Sequence, residues 1–528
     1  DGNFFGPIAE ATYTVVNTVA GTGTGPAGVG APDNTIAGQP ENPLWLKADA
    51  IEGVASGEEV TTWADISGNG NDAYNTFVDG GENAIPNTGE SQKPAPILIE
   101  DALNGHPILQ FGASADATPN RGSLIIDDAD NLDGGAGISI FMVIKRNQLL
   151  EDFAAILQKR DITEGDEAQS YVLEFNGGAN PNKMQFVIQR QSFLRNDLEI
   201  NADDYYILNV ELQEAFGDVL FRTNGVIEKV NSYGGIMPAV DAPIIVGGFQ
   251  PMDIAEVIMY RRGLNEAQNL IVHNYLATKY DMTIGENGAN RLYQNIGFIT
   301  DLIGVGKTTY IDGTTEQEHK SASGGGIQID TRSQLSLGDF VMAAHNGMEV
   351  TNAIQWERHW NIEVVGAAPN VTLGFDFAAV GVETPSSADG LKLFFHDGTS
   401  WTDLGLVGEL DGDQIKFAVD GMQSGEYALS TLDPSTSTKE IDLSESLVVY
   451  PNPVNGDQLA IELGNTVDGN ITIQMFDMMG RVVFFQEDVK SGFFFQDNLD
   501  LSNVPKGVYT LKVLQNNQYR SVKKVIRQ

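Results

Sequence analysis

The sequence predicts a mostly β protein that folds as several sandwich-like domains. The chain has 528 residues, which is more than one hydrophobic core usually serves. Glycine accounts for 58 of them, and short apolar runs alternate with Asn, Asp and Thr, a pattern typical of many strands joined by tight turns. A hydrophobic fraction of 41% is sufficient to build packed cores, so the composition excludes global disorder.

Composition and strand patterns divide the chain into five predicted segments. In order these are an extended Gly/Thr/Pro-rich tether (residues 1–42), a first β domain (43–286), a second β-sandwich region (287–432), a polar linker (433–446) and a small Greek-key β-sandwich (447–528). Runs such as Ile138–Ile144 and Val371–Phe375 predict strands. One helix is predicted near the end of the first domain, where Asn265 and Gln268 form a capping pair, and we expect it at an edge or end of the sandwich.

The formal net charge of −41 is unevenly distributed. From Leu447 to the end the chain has eight basic and eight acidic residues, whereas the first 446 residues have 23 basic and 64 acidic ones. The acidic excess of these first 446 residues repels nucleic-acid phosphates and anionic lipid, which excludes nucleic acid as a partner. Carboxylate clusters suit a medium rich in divalent cations, although the same charge also serves solubility.

Cysteine is absent, which excludes disulfides and thiolate metal sites. No apolar run approaches the ~20 residues that a membrane-spanning helix requires. The chain begins at Asp1 without a charged and then apolar leader, as expected for a processed or fragmentary start.

Four short patterns near the carboxyl end carry the strongest signal. Tyr450–Pro453 reads Tyr-Pro-Asn-Pro after a strand, Phe476–Val483 reads as a hairpin around Gly480, Gly507–Val513 is an alternating strand, and Lys523–Gln528 is a basic final strand. In this order, the patterns resemble the C-terminal sorting domain of the type IX secretion system of Bacteroidota.

The resemblance implies export through an outer-membrane translocon. Its implied partners are a PorV-like shuttle protein that captures the domain and a sorting peptidase that removes it. It also implies that the protein reaches the cell surface or the extracellular space. By position, the capture surface is expected to include Gly507, Tyr509, Lys523, Lys524 and Arg527.

The first β domain resembles the concanavalin-like LamG jelly rolls. The resemblance rests on Leu44–Asp49, on Val60–Ala73 and on Ile254–Tyr260 with the helix that follows. Such domains bind glycans or proteins at a loop-lined edge. Trp45 and Trp63 are therefore candidates for stacking on sugar rings, although tryptophan early in a strand more often belongs to the core.

One loop of this domain has oxygen side chains at alternate positions. Asp65, Asn69 and Asp72 have a spacing that can wrap calcium, but Thr76 stands where an EF-hand has its Glu. The alternative is a turn in which short polar side chains bind their own backbone. Both interpretations remain open, with the turn favoured.

Three apparent catalytic motifs are not expected to function. The phosphate-loop-like segment 301–308 begins with Asp301 and is followed by a strand, so a hairpin is predicted. The segment 440–445 spells a glycosidase-like Glu-x-Asp-x-x-Glu, but it lies outside the jelly roll. The six histidines are scattered and no nucleophile elbow occurs.

The leading hypothesis is therefore an exported, non-catalytic binding protein, such as an adhesin or glycan binder. Two alternatives remain open: a polysaccharide hydrolase with its active site in the jelly roll, and a structural subunit of a surface layer or filament. Two facing carboxylates in a jelly-roll cleft would favour the hydrolase.

Overall fold

The structure is a computed structural model that confirms the mostly β, multidomain architecture. It describes residues 25–30, 35–36, 39–75, 95–112, 123–148, 154–160, 169–175, 183–189, 191–195, 199–202, 204–247, 250–434, 441–442, 447–465, 469–476, 482–515 and 519–528. These fall into two compact units, a body (Asp1–Thr399 and Asp403–Thr431) and a C-terminal unit (Ser400–Thr402 and Leu432–Gln528).

The part of the body up to Tyr260 contains eighteen strands among the described residues; the first two pair as a separate two-stranded sheet, and the other sixteen form the first sandwich. They are β1 (Thr35–Ile36), β2 (Gln39–Pro40), β3 (Leu44–Lys47), β4 (Thr62–Trp63), β5 (Ala73–Tyr74), β6 (Ile97–Leu103), β7 (His106–Phe111), β8 (Leu124–Ile126), β9 (Ile138–Arg146), β10 (Ala154–Arg160), β11 (Gln169–Phe175), β12 (Met184–Ile188), β13 (Gln191–Arg195), β14 (Tyr205–Gln213), β15 (Asp218–Thr223), β16 (Val226–Ser232), β17 (Ile244–Val246) and β18 (Met252–Tyr260). One antiparallel sheet has the order β13-β12-β11-β10-β17-β8-β5-β4, and the other has the order β16-β15-β14-β9-β18-β7-β6, with β3 also paired to β18.

Strand β9 is buried on both faces, and this explains its uninterrupted apolar run. Ile140 and Met142 point into the core between the two sheets, whereas Phe141 and Val143 point to the opposite face. Successive side chains of a strand alternate between faces, so a strand covered on both sides must be apolar throughout.

That second face of the sheet is covered by helix α1 (Glu266–Lys279). The predicted capping box is confirmed: the Asn265 side chain accepts a hydrogen bond from the Gln268 amide, and the Gln268 side chain accepts one from the Asn265 amide. The expected position of the helix at an edge or end was wrong. Ile271 and Leu276 lie in one apolar cluster together with Phe141 of the first sandwich and Phe340 of the second, so the helix is packed between two sheets.

The second sandwich contains twelve strands. They are β19 (Thr300–Thr309), β20 (Glu316–His319), β21 (Ser321–Gly324), β22 (Ile327–Thr331), β23 (Phe340–His345), β24 (Trp360–Val365), β25 (Val371–Asp376), β26 (Lys392–His396), β27 (Trp401–Asp403), β28 (Glu409–Asp411), β29 (Gln414–Val419) and β30 (Gly425–Ser430). They form sheets of order β20-β19-β23-β24-β30-β26-β27 and β21-β22-β25-β29-β28. Trp356 and Trp360 are buried between these sheets, as expected for core residues. The two sandwiches share the apolar cluster around α1 and form one compact unit.

The prediction of an extended tether over residues 1–42 is wrong for residues 25–30. Ala27 and Val29 are buried in the same cluster as α1. The Tyr260 hydroxyl donates to the Pro26 carbonyl (3.3 Å), and the Gly28 carbonyl lies 3.1 Å from Nε2 of His319. Gly28 permits a close approach between elements, because a Cβ at this position would lie 2.7 Å from Cβ of Ala322.

The C-terminal unit is a small sandwich of two sheets. Its strands are β31 (Ile441–Asp442), β32 (Leu447–Tyr450), β33 (Gln458–Gly464), β34 (Gly469–Phe476), β35 (Val482–Lys490), β36 (Phe494–Asp500), β37 (Gly507–Gln515) and β38 (Tyr519–Arg527). The sheet orders are β31-β38-β37-β34-β35 and β32-β33-β36. Because Ile441 and Asp442 pair in parallel with β38, the predicted linker 433–446 was wrong at these two residues.

Candidate functional site

The terminal hairpin β37–β38 holds the residues predicted for capture, but it does not place them on one face. Gly507 pairs with Arg527 and Tyr509 with Val525. Tyr509 is 7% exposed and packs in the core, where its hydroxyl donates to the Pro505 carbonyl (2.6 Å). Tyr509 is therefore not on an exposed face of the domain, and its role in capture stays a prediction. Its ring lies over Gly507, where a Cβ would be 3.4 Å from the ring.

The basic residues of β38 divide between the two faces of the sheet. Lys523 is opposite Leu511, a core residue, and Lys524 is opposite the exposed Thr510. Side chains alternate along a strand, so Lys523 and Lys524 point in opposite directions. Arg527 forms an ion pair with Asp457. Lys524 is thus the exposed member of the predicted set on the outer face.

The Tyr-Pro-Asn-Pro segment closes one edge of the five-stranded sheet. The Asn452 side chain donates to the Lys524 carbonyl (2.6 Å) and accepts from the Ile526 amide (3.0 Å). Val454 follows with two backbone hydrogen bonds, to Ile526 (2.7 Å) and from Gln528 (2.9 Å). These contacts satisfy backbone groups at an edge that would otherwise remain open.

The loop that was a calcium candidate is a dense network of hydrogen bonds. The Asp65 carboxylate accepts from the amides of Trp45 (3.0 Å), Ser67 (2.9 Å) and Asn71 (3.1 Å) and from the Ser67 hydroxyl (2.7 Å). Asp72 accepts from the Asp65 amide (2.8 Å). Nδ2 of Asn69 donates to the Asn42 carbonyl (3.0 Å) and to the Ser67 hydroxyl (2.9 Å).

This geometry matches the turn interpretation, in which short polar side chains bind nearby backbone. Across the part of the chain that the structure describes, no three His, Asp or Glu side chains are placed to hold a metal ion. Calcium at Asp65, Asn69 and Asp72 stays a prediction.

Neither tryptophan that was predicted to stack on sugar rings is presented for that purpose. Trp63 is 0% exposed and belongs to the core of the first sandwich, which is the favoured alternative for a tryptophan early in a strand. Trp45 is half-buried, lies edge-on against Tyr275 and donates from Nε1 to Glu256 (2.6 Å). Both positions follow from the apolar alternation of their strands.

A cleft of about 480 Å³ lies where strands β4, β5 and β8 pair. Its lining is mostly polar and comprises Thr62, Gly70, Asn71, Asp72, Tyr74, Ile126, Asp127, Asp128 and Ala129. The Asp65 loop supplies one wall. The sequence contains both acidic pieces, Asn71-Asp72 and Asp127-Asp128, but nothing in it shows that β5 and β8 are neighbours.

Hydrogen bonds and an ion pair fix the positions of the side chains that line the cleft. Partial burial and a hydrogen bond to Asp127 raise the pKa of the Tyr74 hydroxyl to about 12, so it remains a donor at neutral pH. Asp128 pairs with Nζ of Lys159 (2.5 Å), a wholly buried lysine that also donates to the Ala242 carbonyl (2.8 Å). Asn71 donates to the Pro43 carbonyl (2.8 Å).

The apparent catalytic motifs remain without a site. The phosphate-loop-like segment 301–308 is part of strand β19, as the hairpin prediction required. Residues 440 and 443–445 of the glycosidase-like segment lie outside the described residues. Among the described residues, no helix is long and apolar enough to cross a membrane.

Comparison with solved structures gives distant likenesses to this chain. Domain 4 of AbnA, a GH43 extracellular arabinanase from Geobacillus stearothermophilus, is 13% identical with a TM-score of 0.31, and the match covers 44% of this chain and 98% of that one. Trypanosoma rangeli sialidase is 11% identical with a TM-score of 0.28, and the match covers 49% of this chain but only 37% of the sialidase. The Ruminococcus gnavus IT-sialidase CBM40 is 10% identical with a TM-score of 0.22, over 25% of this chain and 79% of that one. At such low TM-scores these likenesses carry no functional argument.

Sequence comparison identifies the C-terminal unit. No curated protein matches the chain. The family model described as a secretion system C-terminal sorting domain matches residues 448–528, a range that contains β33 to β38 and all of β32 except its first residue. The protein therefore carries a type IX C-terminal sorting domain and is exported across the outer membrane to the cell surface or extracellular space.

Proposed function

We propose that the exported body binds a glycan in the cleft beside the Asp65 loop and does not process it chemically. The observation that carries this proposal is the lining of the cleft, in which one aromatic ring, Tyr74, is surrounded by hydroxyl, amide and carboxylate groups. Specific ligand sites are concave and present a few convergent polar groups in fixed positions.

These groups suit a ligand rich in hydroxyls. Carboxylates of Asp72 and Asp127 accept hydrogen bonds from sugar hydroxyls, and such charge-assisted bonds are stronger than neutral ones. The ring of Tyr74 offers an apolar surface to the C–H face of a sugar. The fixed neighbours of Asp128 and Asn71 reduce the ordering that binding would otherwise require.

The negative charge of the cleft limits which glycans can bind there. Three carboxylates line the cleft, and the first 446 residues have a large acidic excess. Uronic and sialic acids would be repelled, so we expect a neutral or amine-bearing sugar.

Glycan-array binding of the full chain, with and without calcium, tests the proposal. The full chain is required because the two sandwiches share one apolar cluster. For a ligand found on the array, Tyr74→Ala and Asp127→Asn should each weaken binding by roughly tenfold or more in calorimetry. Asp389→Asn, which removes an exposed carboxylate of the second sandwich, is the matched control and should bind as wild type. Equal binding by all four proteins would contradict the proposal.

The same three carboxylates favour a second candidate, hydrolysis, because glycosidases use pairs of Asp or Glu around one cleft. Release of reducing ends from the bound glycan, lost in Asp127→Asn or in Asp128→Asn, would establish that the protein is an enzyme. Binding without release would establish the proposal above.

A further inference from the structure

The two edges of the five-stranded sheet in the C-terminal unit differ in how they are covered. On one side, edge strand β38 is covered by β31 and by the contacts of Asn452 and Val454. On the other side, β35 is the last strand of its sheet and pairs only with β34, and no described strand lies on its outer edge. Strand β35 spans Val482–Lys490, so a long row of backbone groups has no partner strand.

This open edge is also apolar. Val482 is 52% exposed, Phe485 54% and Val489 64%, and the adjoining turn into β36 exposes Phe493 by 60%. Of the sixteen large hydrophobic side chains exposed among the described residues, eight lie after residue 446, in less than a fifth of the chain. Exposed apolar surface is therefore concentrated in the domain that the export machinery must recognise.

Natural proteins normally protect such an edge with lysine, proline or a covering loop. Here Phe485, Glu487 and Val489 lie at alternate positions of β35 and share its exposed face, and none of the three is basic. The unprotected side is therefore suited to a partner in an extended conformation, because only a strand can pair with a row of backbone amides and carbonyls.

We propose that β35 receives an added β-strand from a component of the export machinery. The geometry specifies its chemistry: an extended segment with apolar residues at alternate positions that meet Phe485 and Val489, and a lysine or arginine between them, opposite the exposed Glu487. Backbone hydrogen bonds supply most of the affinity of such a contact, and the side-chain pattern supplies its selectivity.

Binding of a defined peptide to the full chain provides the first test. The probe is a fluorescein-labelled peptide that copies residues 519–527, since Val522, Lys524 and Ile526 place a lysine between two apolar residues at alternate positions. We expect saturable binding by fluorescence anisotropy, weakened at least about tenfold in Phe485→Lys and in Val489→Lys. Val407→Lys makes the same change at a body residue that is 84% exposed, so it should bind the peptide as wild type does.

Export in cells provides the second test, with the same three variants. The Phe485→Lys and Val489→Lys proteins should accumulate in the periplasm, whereas Val407→Lys should reach the cell surface. Melting curves like that of the wild type show that the lysines have not unfolded the domain; a variant that fails this check is replaced by Phe485→Thr.

Two results would overturn the inference. One is wild-type export and peptide binding by the double variant Phe485→Lys/Val489→Lys. The other is sedimentation of the full chain as a dimer that the lysines dissociate, since the occupant of the edge would then be a second copy of the chain.

Discussion

Replacement of the buried carboxylate of Glu256 should weaken the attachment of helix α1 to the first sandwich. Glu256 is 0% exposed and accepts four hydrogen bonds. They come from Nε1 of Trp45 (2.6 Å), the hydroxyls of Tyr275 (2.9 Å) and Tyr280 (2.8 Å), and Nζ of Lys279 (2.8 Å). Three of these four donors belong to the helix or to the residue that follows it, so a single carboxylate connects the helix to β18.

The expected cost follows from what remains after the change. Burial lowers the pKa of Lys279, but Glu256 and Asp49 outweigh it and hold the pKa above its usual value. In Glu256→Ala the lysine retains only Asp49, at 2.9 Å, and three other donors lose their acceptor. Removing one partner of a buried ion pair typically costs about 3–5 kcal/mol, and we expect a loss in that range.

Urea unfolding of the full chain, followed by intrinsic fluorescence, measures this loss. Glu409→Ala, which removes an exposed carboxylate of β28, is the control and should unfold as wild type. The double variant Glu256→Gln/Lys279→Met should be more stable than Glu256→Ala because it leaves no unpaired buried charge. A cost below about 1 kcal/mol for Glu256→Ala would refute the reasoning, since a buried lysine cannot lose this partner so cheaply.

Three further predictions follow from local geometry. Asn452→Ala removes two hydrogen bonds to the last strand, so hydrogen exchange at the Ile526 amide should accelerate and the sorting domain should lose about 1–2 kcal/mol; unchanged protection would contradict this. Gly28→Ala should destabilise the body more than Gly53→Ala, because both glycines have φ of 73° but only the first would place its Cβ against other atoms. Equal melting temperatures of the two variants would show that residues 25–30 do not pack tightly. Burial, and then a nearby arginine, lowers the pKa of His273 to about 3 from 6.5, so the unfolded chain binds this proton first and stability should fall as the pH drops from 6.5 towards 3, by up to about 1.4 kcal/mol per pH unit. In His273→Gln the dependence of the urea midpoint on pH should be shallower across that interval, and an unchanged slope would exclude this histidine as its source.

Local patterns in the sequence predicted local structure well. The capping pair at Asn265 and the run at Ile138–Ile144 depend on neighbouring residues alone, and both were confirmed. The sorting domain was recognisable because its short patterns stand at fixed places near the end of the chain.

Features that depend on distant contacts could not be predicted in the same way. Alternation showed that Tyr509 and Val508 face opposite sides, but the identity of the buried side depends on how the sheets pack. Residues 25–30 have the composition of a flexible segment, and only the space between α1 and the second sandwich determines that they fold. The cleft arises from the pairing of β5 with β8, which joins Tyr74 to Asp127 across a long stretch of sequence.

Burial of helix α1 on two sides has a consequence for gene architecture. A fusion or truncation that ends at residue 286 would keep the helix but remove the sheet that contains Phe340 and Met342, and would expose the apolar residues that α1 turns towards that sheet. Such a fragment would aggregate. We therefore expect the two sandwiches to be exchanged between proteins only as a pair.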